Sequence, residues 1–548
     1  MRSSRFFSSR TAWAVAFLIA ISLQAGCAVG PDFETPAAPN VKAYDPQGLP
    51  EKTVEADSTN GVSQKFAPGA NIPAEWWTLF LSEPLNKLIT KALAANPDLQ
   101  AAEAALRQAQ ENLYAGEGAF FPGVDGKLGA TRQKISSSAL GGGSVGSGGS
   151  GGRIPAFTLY NASVDVSYPL DVFGGIRREV EGLEAQKDAQ RYELEAATIT
   201  LTANVATAAI QEASLRAQIA ATKEIIDDEK KQLDLLKQQF EAGAVAKAAV
   251  LAQQATLAQT LATLPALDKQ LAQTRHQLTA LAGQLPSEEL EATFELSQLH
   301  LPETLPLSLP SQLVEQRPDI QAATAQLHAA SAAIGVATAN MLPQITLTGS
   351  YGISASSLAS LFSPGTAVWS FGAGLLQPLF HGGELLHKKR ASEAAFDQAA
   401  AQYRSTVVTA FQNVADSLRA LESDAEALKA QVAAERAAAD SLNLTREQYK
   451  AGAISYLSLL TAEQALELAK IARVQAEARR FADTAALFLA LGGGWWQRGA
   501  SPENLNTAPA PADDETLAIS PPPSQLEAIS SGAKKSWRKT NSALETNL

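Results

Sequence analysis

The sequence predicts a mixed α+β membrane protein, in which a few membrane β-strands continue into very long helices outside the bilayer. Three observations lead to this fold class. The chain starts with an export signal, its middle contains one pattern written twice, and each copy holds alternating strands followed by an unusually long helix. The 548 residues carry a formal net charge of −12, which argues against nucleic acid as a partner, and a single cysteine, which excludes a disulfide framework.

Residues 1–26 are predicted to form a signal peptide. Three arginines precede an apolar run from Thr11 to Leu23, which is too short to span a bilayer permanently. Small residues then precede Cys27, and its thiol is the predicted lipidation site. This pattern resembles the lipobox of bacterial lipoproteins, and Ala28 in place of an aspartate points by the same resemblance to the outer membrane. The alternative is an ordinary signal peptide with a chance cysteine.

Two copies of one pattern fill the middle of the chain. The letters NPDLQAA from Asn96 return as RPDIQAA from Arg317, and FEAGA from Phe240 returns as YKAGA from Tyr449. The Gly/Ser tract at 141–152 indicates a flexible loop between two strands of the first copy. The predicted order is a lipidated N-terminal arm with an equatorial segment, a first repeat, an equatorial linker, a second repeat and a disordered tail. Their bounds are 27–95, 96–284, 285–316, 317–496 and 497–548.

Each copy carries two predicted strands with alternating side chains. From Phe157 to Tyr168, apolar even positions share one face and mostly polar odd positions share the other. Tyr160 and Tyr168 stand where an interfacial aromatic girdle requires them, and the second copy places Trp369 and Phe371 on the matching face. A soluble antiparallel sheet has the same period, but the export signal favours a membrane. Since single-chain barrels need about eight strands, four strands require other copies of the chain to complete them.

Two helices are predicted to be longer than a compact domain allows. From Gly175 to Phe240 the chain has no proline and, after Gly182, no glycine, which gives roughly 100 Å of helix. Apolar residues recur at alternating spacings of four and three up to Phe240, with Glu229 among the polar interruptions, and this spacing is typical of coiled coils. Turns at Gly243 and Gly452 fold each long helix back, so each half ends in an antiparallel coiled-coil hairpin.

This order of elements is similar to that of the outer membrane factor family, the TolC-like channels, and the letters CAVGPDF from Cys27 resemble its NodT-type efflux lipoproteins. The resemblance covers about residues 27–496. It implies a homotrimer with one twelve-stranded transmembrane β-barrel, four strands per chain, continued by a long periplasmic α-helical barrel of coiled-coil hairpins. No cofactor, metal or enzymatic activity is expected, because the five histidines show no metal-ligand spacing and no catalytic motif is present.

The resemblance also implies a function and partners. The chain is expected to be the outer-membrane channel subunit of a tripartite efflux system, a passive exit duct for small molecules. Its expected partners are a periplasmic adaptor, an inner-membrane pump of the RND type and outer-membrane lipid. Two alternatives fit parts of the pattern. The channel of a type I protein secretion system would have the same fold, whereas a non-pore periplasmic scaffold lipoprotein would need neither the alternating strands nor the duplication.

The resemblance places a gate and adaptor contacts at the hairpin tips. The family's gate positions map onto Tyr449, Leu457, Thr461 and Gln464. Relatives often carry an aspartate at the position of Thr461 and an arginine at that of Gln464, so an ionic lock is not expected here. A collar of Leu457 and Tyr449 is expected instead, and ordinary hairpin packing is the alternative role of Leu457. The adaptor is expected to contact the small tip residues Ala242, Gly243, Ala244, Ala451, Gly452 and Ala453.

Overall fold

The computed structural model describes residues 28–41, 43–46, 48–134, 156–288 and 290–498. The predicted signal peptide, Cys27, the Gly/Ser tract at 141–152 and the predicted tail beyond residue 498 lie outside these residues. Among the described helices, none combines the length and the apolar character needed to cross a membrane.

The described elements follow the predicted order of helix, two strands, long helix and return helix, twice over. The helices are α1 Glu83–Ala95, α2 Pro97–Glu117, α3 Gly175–Glu241, α4 Lys247–Leu281, α5 Pro310–Gln316, α6 Pro318–Ala339, α7 Glu384–Lys450 and α8 Tyr456–Ala490. The strands are β1 Lys65–Pro68, β2 Gly123–Gln133, β3 Phe157–Leu170, β4 Thr304–Leu307, β5 Gln344–Ala355 and β6 Ala367–Leu376. The two long helices have 67 residues each and the two return helices 35 each, so both hairpins have the same length.

The ends of the helices follow from local sequence. The side chain of Asn96 caps α2, because its Oδ1 accepts hydrogen bonds from the backbone N–H groups of Asp98 and Leu99 at 2.9 and 3.1 Å. Both long helices end just before a glycine with positive φ, 75° at Gly243 and 72° at Gly452. That backbone conformation favours glycine and reverses the chain into the return helix.

Strands β2, β3, β5 and β6 form one antiparallel sheet in that order, with β2 and β6 at its edges. The register places Val164 opposite Tyr351, and Tyr351 opposite Trp369, so the predicted apolar face is continuous from strand to strand. Trp369 is 77% exposed, so nothing within the described chain covers this face. The other face is polar, and the Lys127 ammonium lies 3.0 Å from the Asp165 carboxylate. The predicted two-faced sheet is confirmed.

The largest hydrophobic core lies where the N-terminal segment packs against α8. Trp76 and Phe80 are fully buried. The Trp76 ring stacks on Phe488 at 5.3 Å between centroids, and the Phe80 ring lies 6.2 Å from that of Phe481. Strand β1 pairs in parallel with β4, which joins the segment before the first repeat to the linker between the repeats.

The predicted coiled-coil seam of α3 is correct except at its end. Leu233 and Leu236 are buried, whereas Phe240 is 42% exposed. The helix ends at Glu241 and the chain then turns, so the return helix begins too late to cover the Phe240 ring.

Candidate functional site

A small hydrophobic cluster, here called the tip core, holds the ends of the two hairpins together. Every long and return helix contributes to it. Its buried members are Leu233, Leu236, Val250, Leu442, Tyr456, Leu459 and Leu460. Because α3 and α4 supply the first three and α7 and α8 the others, the two hairpins are packed against each other at their tips.

The four predicted gate residues divide into two pairs. Tyr449 packs on the tip core, its ring 5.8 Å from that of Tyr456, and burial raises the pKa of its phenol. Gln464 is partly buried, and its amide nitrogen lies 3.5 Å from Thr256 Oγ1 of the other hairpin. Leu457 is 66% exposed, and the exposed Thr461 donates its hydroxyl proton to the Leu457 carbonyl at 2.9 Å. The side chains of Leu457 and Thr461 are therefore accessible to another molecule.

The six predicted adaptor-contact residues are all exposed: Ala242, Gly243, Ala244, Ala451, Gly452 and Ala453. A Cβ atom added at Gly243 or Gly452 would meet no atom within 4 Å. The glycines are therefore needed for the shape of the turn, not for space inside the chain. At these six positions the turns therefore expose only small side chains.

Three glutamates, here called the acidic layer, lie between the hairpins beside the tip core. Glu229 of α3 is 4% exposed; one oxygen accepts a 2.9 Å hydrogen bond from Thr260, and the other has no partner among the described residues. Burial raises the pKa of Glu229. Burial also raises the pKa of Glu463 of α8, although Arg446 at 3.6 Å opposes this. Burial and the charges of Glu229 and Glu463 raise the pKa of Glu467 to about 7.

Sequence reasoning identified Glu229 only as an interruption of the coiled-coil seam, and it missed Glu463 and Glu467. No pattern in the linear sequence relates Glu229 to residues of the second hairpin. The signal that could have found them is the four-residue spacing of Glu463 and Glu467, which places both on one face of α8.

The N-terminal arm lies against the start of α3 and the end of α6. The Val29 N–H donates to the Phe173 carbonyl at 3.0 Å, where β3 gives way to α3. The buried Arg178 donates to the Val29 carbonyl at 3.2 Å and to the Asp32 carboxylate at 2.6 Å. On the other side, a Cβ atom at Gly335 of α6 would lie only 2.8 Å from the Val29 carbonyl oxygen, so glycine allows the close approach. The arm thus joins the two halves of the chain near the sheet.

Comparison with known proteins identifies the class to which this fold belongs. The outer membrane efflux protein family matches residues 88–284 and 309–493, and the chain belongs to that family. The pyoverdine export outer membrane protein OpmQ of Pseudomonas aeruginosa is 31% identical over 77% of this chain and 87% of the relative. The probable outer membrane lipoprotein SilC of Salmonella typhimurium is 27% identical over 87% and 97%. The solved structure of the outer-membrane channel OprN is 27% identical, with a TM-score of 0.75 over 86% of this chain and all of OprN.

These relatives confirm the predicted family, function and location. The protein is an outer-membrane channel of an efflux system, with a large periplasmic part. The solved neighbours have the TolC-like fold predicted from the order of elements. Because these relatives are efflux channels, they favour a channel over the alternative of a non-pore scaffold lipoprotein. They also favour efflux over the alternative of type I protein secretion.

Proposed function

We propose that three copies of this chain assemble into one passive exit duct for small molecules. The observation that carries the proposal is the four-stranded sheet with an uncovered apolar face, whose edge strands β2 and β6 have no further partner among the described residues. Backbone groups cannot stay unpaired in lipid, so β2 of one copy pairs with β6 of the next. Four strands from each copy then close a twelve-stranded barrel with the polar face inward.

The remainder of each chain extends the duct through the periplasm. The equal lengths of the two hairpins support an internal duplication, with repeats at 96–284 and 317–496. The β1–β4 pair and the core around Trp76 support an equatorial belt formed by the arm and the linker. The hydrogen bond from Val29 to Phe173 holds the arm at the end of β3. Cys27 is two residues earlier, so this contact supports its lipidation as a second membrane anchor beside the barrel.

The hairpin tips form the periplasmic entrance in this proposal. An adaptor docks on the exposed small residues of the turns and connects the duct to an inner-membrane pump of the RND type. Exposure of Leu457 supports a collar of one leucine from each copy. The contact of Tyr449 with the tip core supports a different role for that residue, which is to hold the two hairpins of one chain together.

The assembly is tested by electrophoresis and by conductance. The purified full-length protein is expected to migrate as a heat-modifiable trimer and to form discrete channels in a planar bilayer. A monomer in mild detergent that forms no channels would overturn the proposal.

Replacing the proposed collar should change conductance. Leu457→Ala removes three isobutyl groups from the entrance of a trimer, so single-channel conductance is expected to increase severalfold. Leu468→Ala is the matched control, because Leu468 is also exposed on α8 but lies three turns further from the tip. Equal conductance of Leu457→Ala and wild type would show that Leu457 is not the constriction.

A further inference from the structure

The acidic layer is stacked directly on the tip core. Glu229 precedes Leu233 by one turn of α3, and Glu463 follows Leu459 by one turn of α8. Helix α3 belongs to the first hairpin and α8 to the second, so the three carboxyl groups lie in the interface between hairpins. Any movement of one hairpin relative to the other near the tips must change the distances from Glu229 to Glu463 and Glu467.

Too few cations face these carboxyl groups to neutralise them. Helix α7 supplies Arg446, which lies 3.6 Å from Glu463, and α8 supplies Lys470, which lies 3.6 Å from Glu224 of α3. No hydrogen bond or close ion pair reaches Glu467 in the described part of the chain, although the charge of Lys470 acts on it. The other groups near the layer include Asp228 and Gln232 of α3, Tyr449 of α7 and Tyr456 of α8. Helix α4 adds the neutral Gln253, Thr256 and Thr260.

We propose that the acidic layer is a proton-controlled latch between the two hairpins. When protonated, its carboxyl groups allow α3 and α8 to pack closely beside the tip core. When ionised, they repel one another across the interface and favour separation of the hairpins, and in the proposed channel this separation widens the entrance. The link to opening rests on the proposed channel function, whereas the link to hairpin packing does not.

The direction of the pH dependence follows from the raised pKa of Glu467. Its ordinary value of 4.5 is raised to about 7 in the packed interface, so the packed state binds the proton more tightly than the separated state. Ionisation of Glu467 therefore adds a free-energy cost to packing of the hairpins. This cost is absent below pH 4.5, grows as pH rises from 4.5 to 7, and reaches its full size above pH 7. The buried, half-satisfied Glu229 acts in the same direction, because ionisation leaves a charged oxygen without a partner.

Hydrogen–deuterium exchange of the full-length protein tests the latch without requiring a channel. Between about pH 5 and pH 8, after correction for intrinsic exchange, protection of the α8 segment 456–470 in wild type is expected to fall about tenfold. The variant Glu229→Gln/Glu467→Gln is expected to lose this dependence, and Glu467→Gln alone serves if the double variant fails to fold. Glu447→Gln is the control, because Glu447 is exposed near the tip and pairs with Lys450.

The latch would be overturned if protection in wild type did not change with pH. It would also be overturned if Glu229→Gln/Glu467→Gln and Glu467→Gln kept the pH dependence of wild type. Open probability in planar bilayers is measured in parallel and is expected to rise with pH in wild type and in Glu447→Gln, but not in the variants that lack Glu467. If protection depends on pH but open probability does not, the latch holds the hairpins without controlling opening, and the gating part of the proposal is wrong. If no channels form at all, the proposed function fails while the exchange experiment still decides the latch.

Discussion

Replacing Phe371 with arginine is expected to prevent insertion of the barrel. Phe371 lies at the middle of β6 on the uncovered apolar face and is 77% exposed within one chain. If that face contacts lipid, an arginine near the bilayer midplane costs about 2–4 kcal/mol per chain. A trimer carries this cost three times, so the yield of heat-modifiable trimer in outer-membrane fractions is expected to fall at least tenfold.

Ser370→Arg is the matched control. Ser370 is the neighbouring residue of β6 and faces the other side of the sheet, opposite Ser350 and on the face that carries Asp165. In the proposed barrel an arginine there would face the polar interior, so the trimer is expected to form normally with an altered conductance. Normal trimer yield for Phe371→Arg, or equal losses for both variants, would contradict the proposed orientation of the sheet.

The strands and long helices were predictable because their signals are local. Alternation with a period of two fixes which side chains share a face, and the register placed Tyr351 beside Trp369 as that alternation requires. The absence of proline after Gly175 sufficed to predict a helix that continues to Glu241. Such signals depend on residues a few positions apart, so they can be recognised in the sequence without knowledge of the tertiary fold.

The contacts at the hairpin interface were not predictable in the same way. Burial raises the pKa of Glu467, and the charge of Glu229 raises it further. Glu229 lies in the other half of the chain, and only the packing of α3 against α8 brings the two residues together. The packing of the two hairpins also gives the Tyr449 hydroxyl a partner in the Gln239 side chain of α3, at 3.4 Å. A mapped family position indicates where a side chain stands along the helix, but not whether it faces the bore or the neighbouring hairpin.

The core that joins the N-terminal segment to α8 was also absent from the sequence-based prediction. The adjacent Trp76 and Trp77 have no periodic pattern. The ring partners of Trp76 and Phe80 lie some four hundred residues further on, at Phe488 and Phe481. Their burial shows that the segment before the first repeat is part of the folded body. This core should therefore contribute strongly to the stability of the whole periplasmic part.

Trp76→Ala is expected to lower the free energy of unfolding of the periplasmic part by about 3–5 kcal/mol, the usual cost of truncating a fully buried aromatic side chain. The loss includes the stacking of the indole on Phe488 and the cavity left among Phe80 and its neighbours. Urea unfolding of the full-length protein, followed by far-ultraviolet circular dichroism, should show a lower midpoint with little change in slope.

Trp76→Phe separates the packing of this side chain from its polar atom. The indole Nε1 is buried without a hydrogen-bond partner among the described residues, so phenylalanine removes an unsatisfied donor while keeping an aromatic ring against Phe488. The net cost is expected to be about 1 kcal/mol or less, because the smaller ring leaves only a partial cavity. If Trp76→Ala were as stable as Trp76→Phe, this core would not be what holds the N-terminal segment to α8, and the proposed equatorial belt would need another anchor.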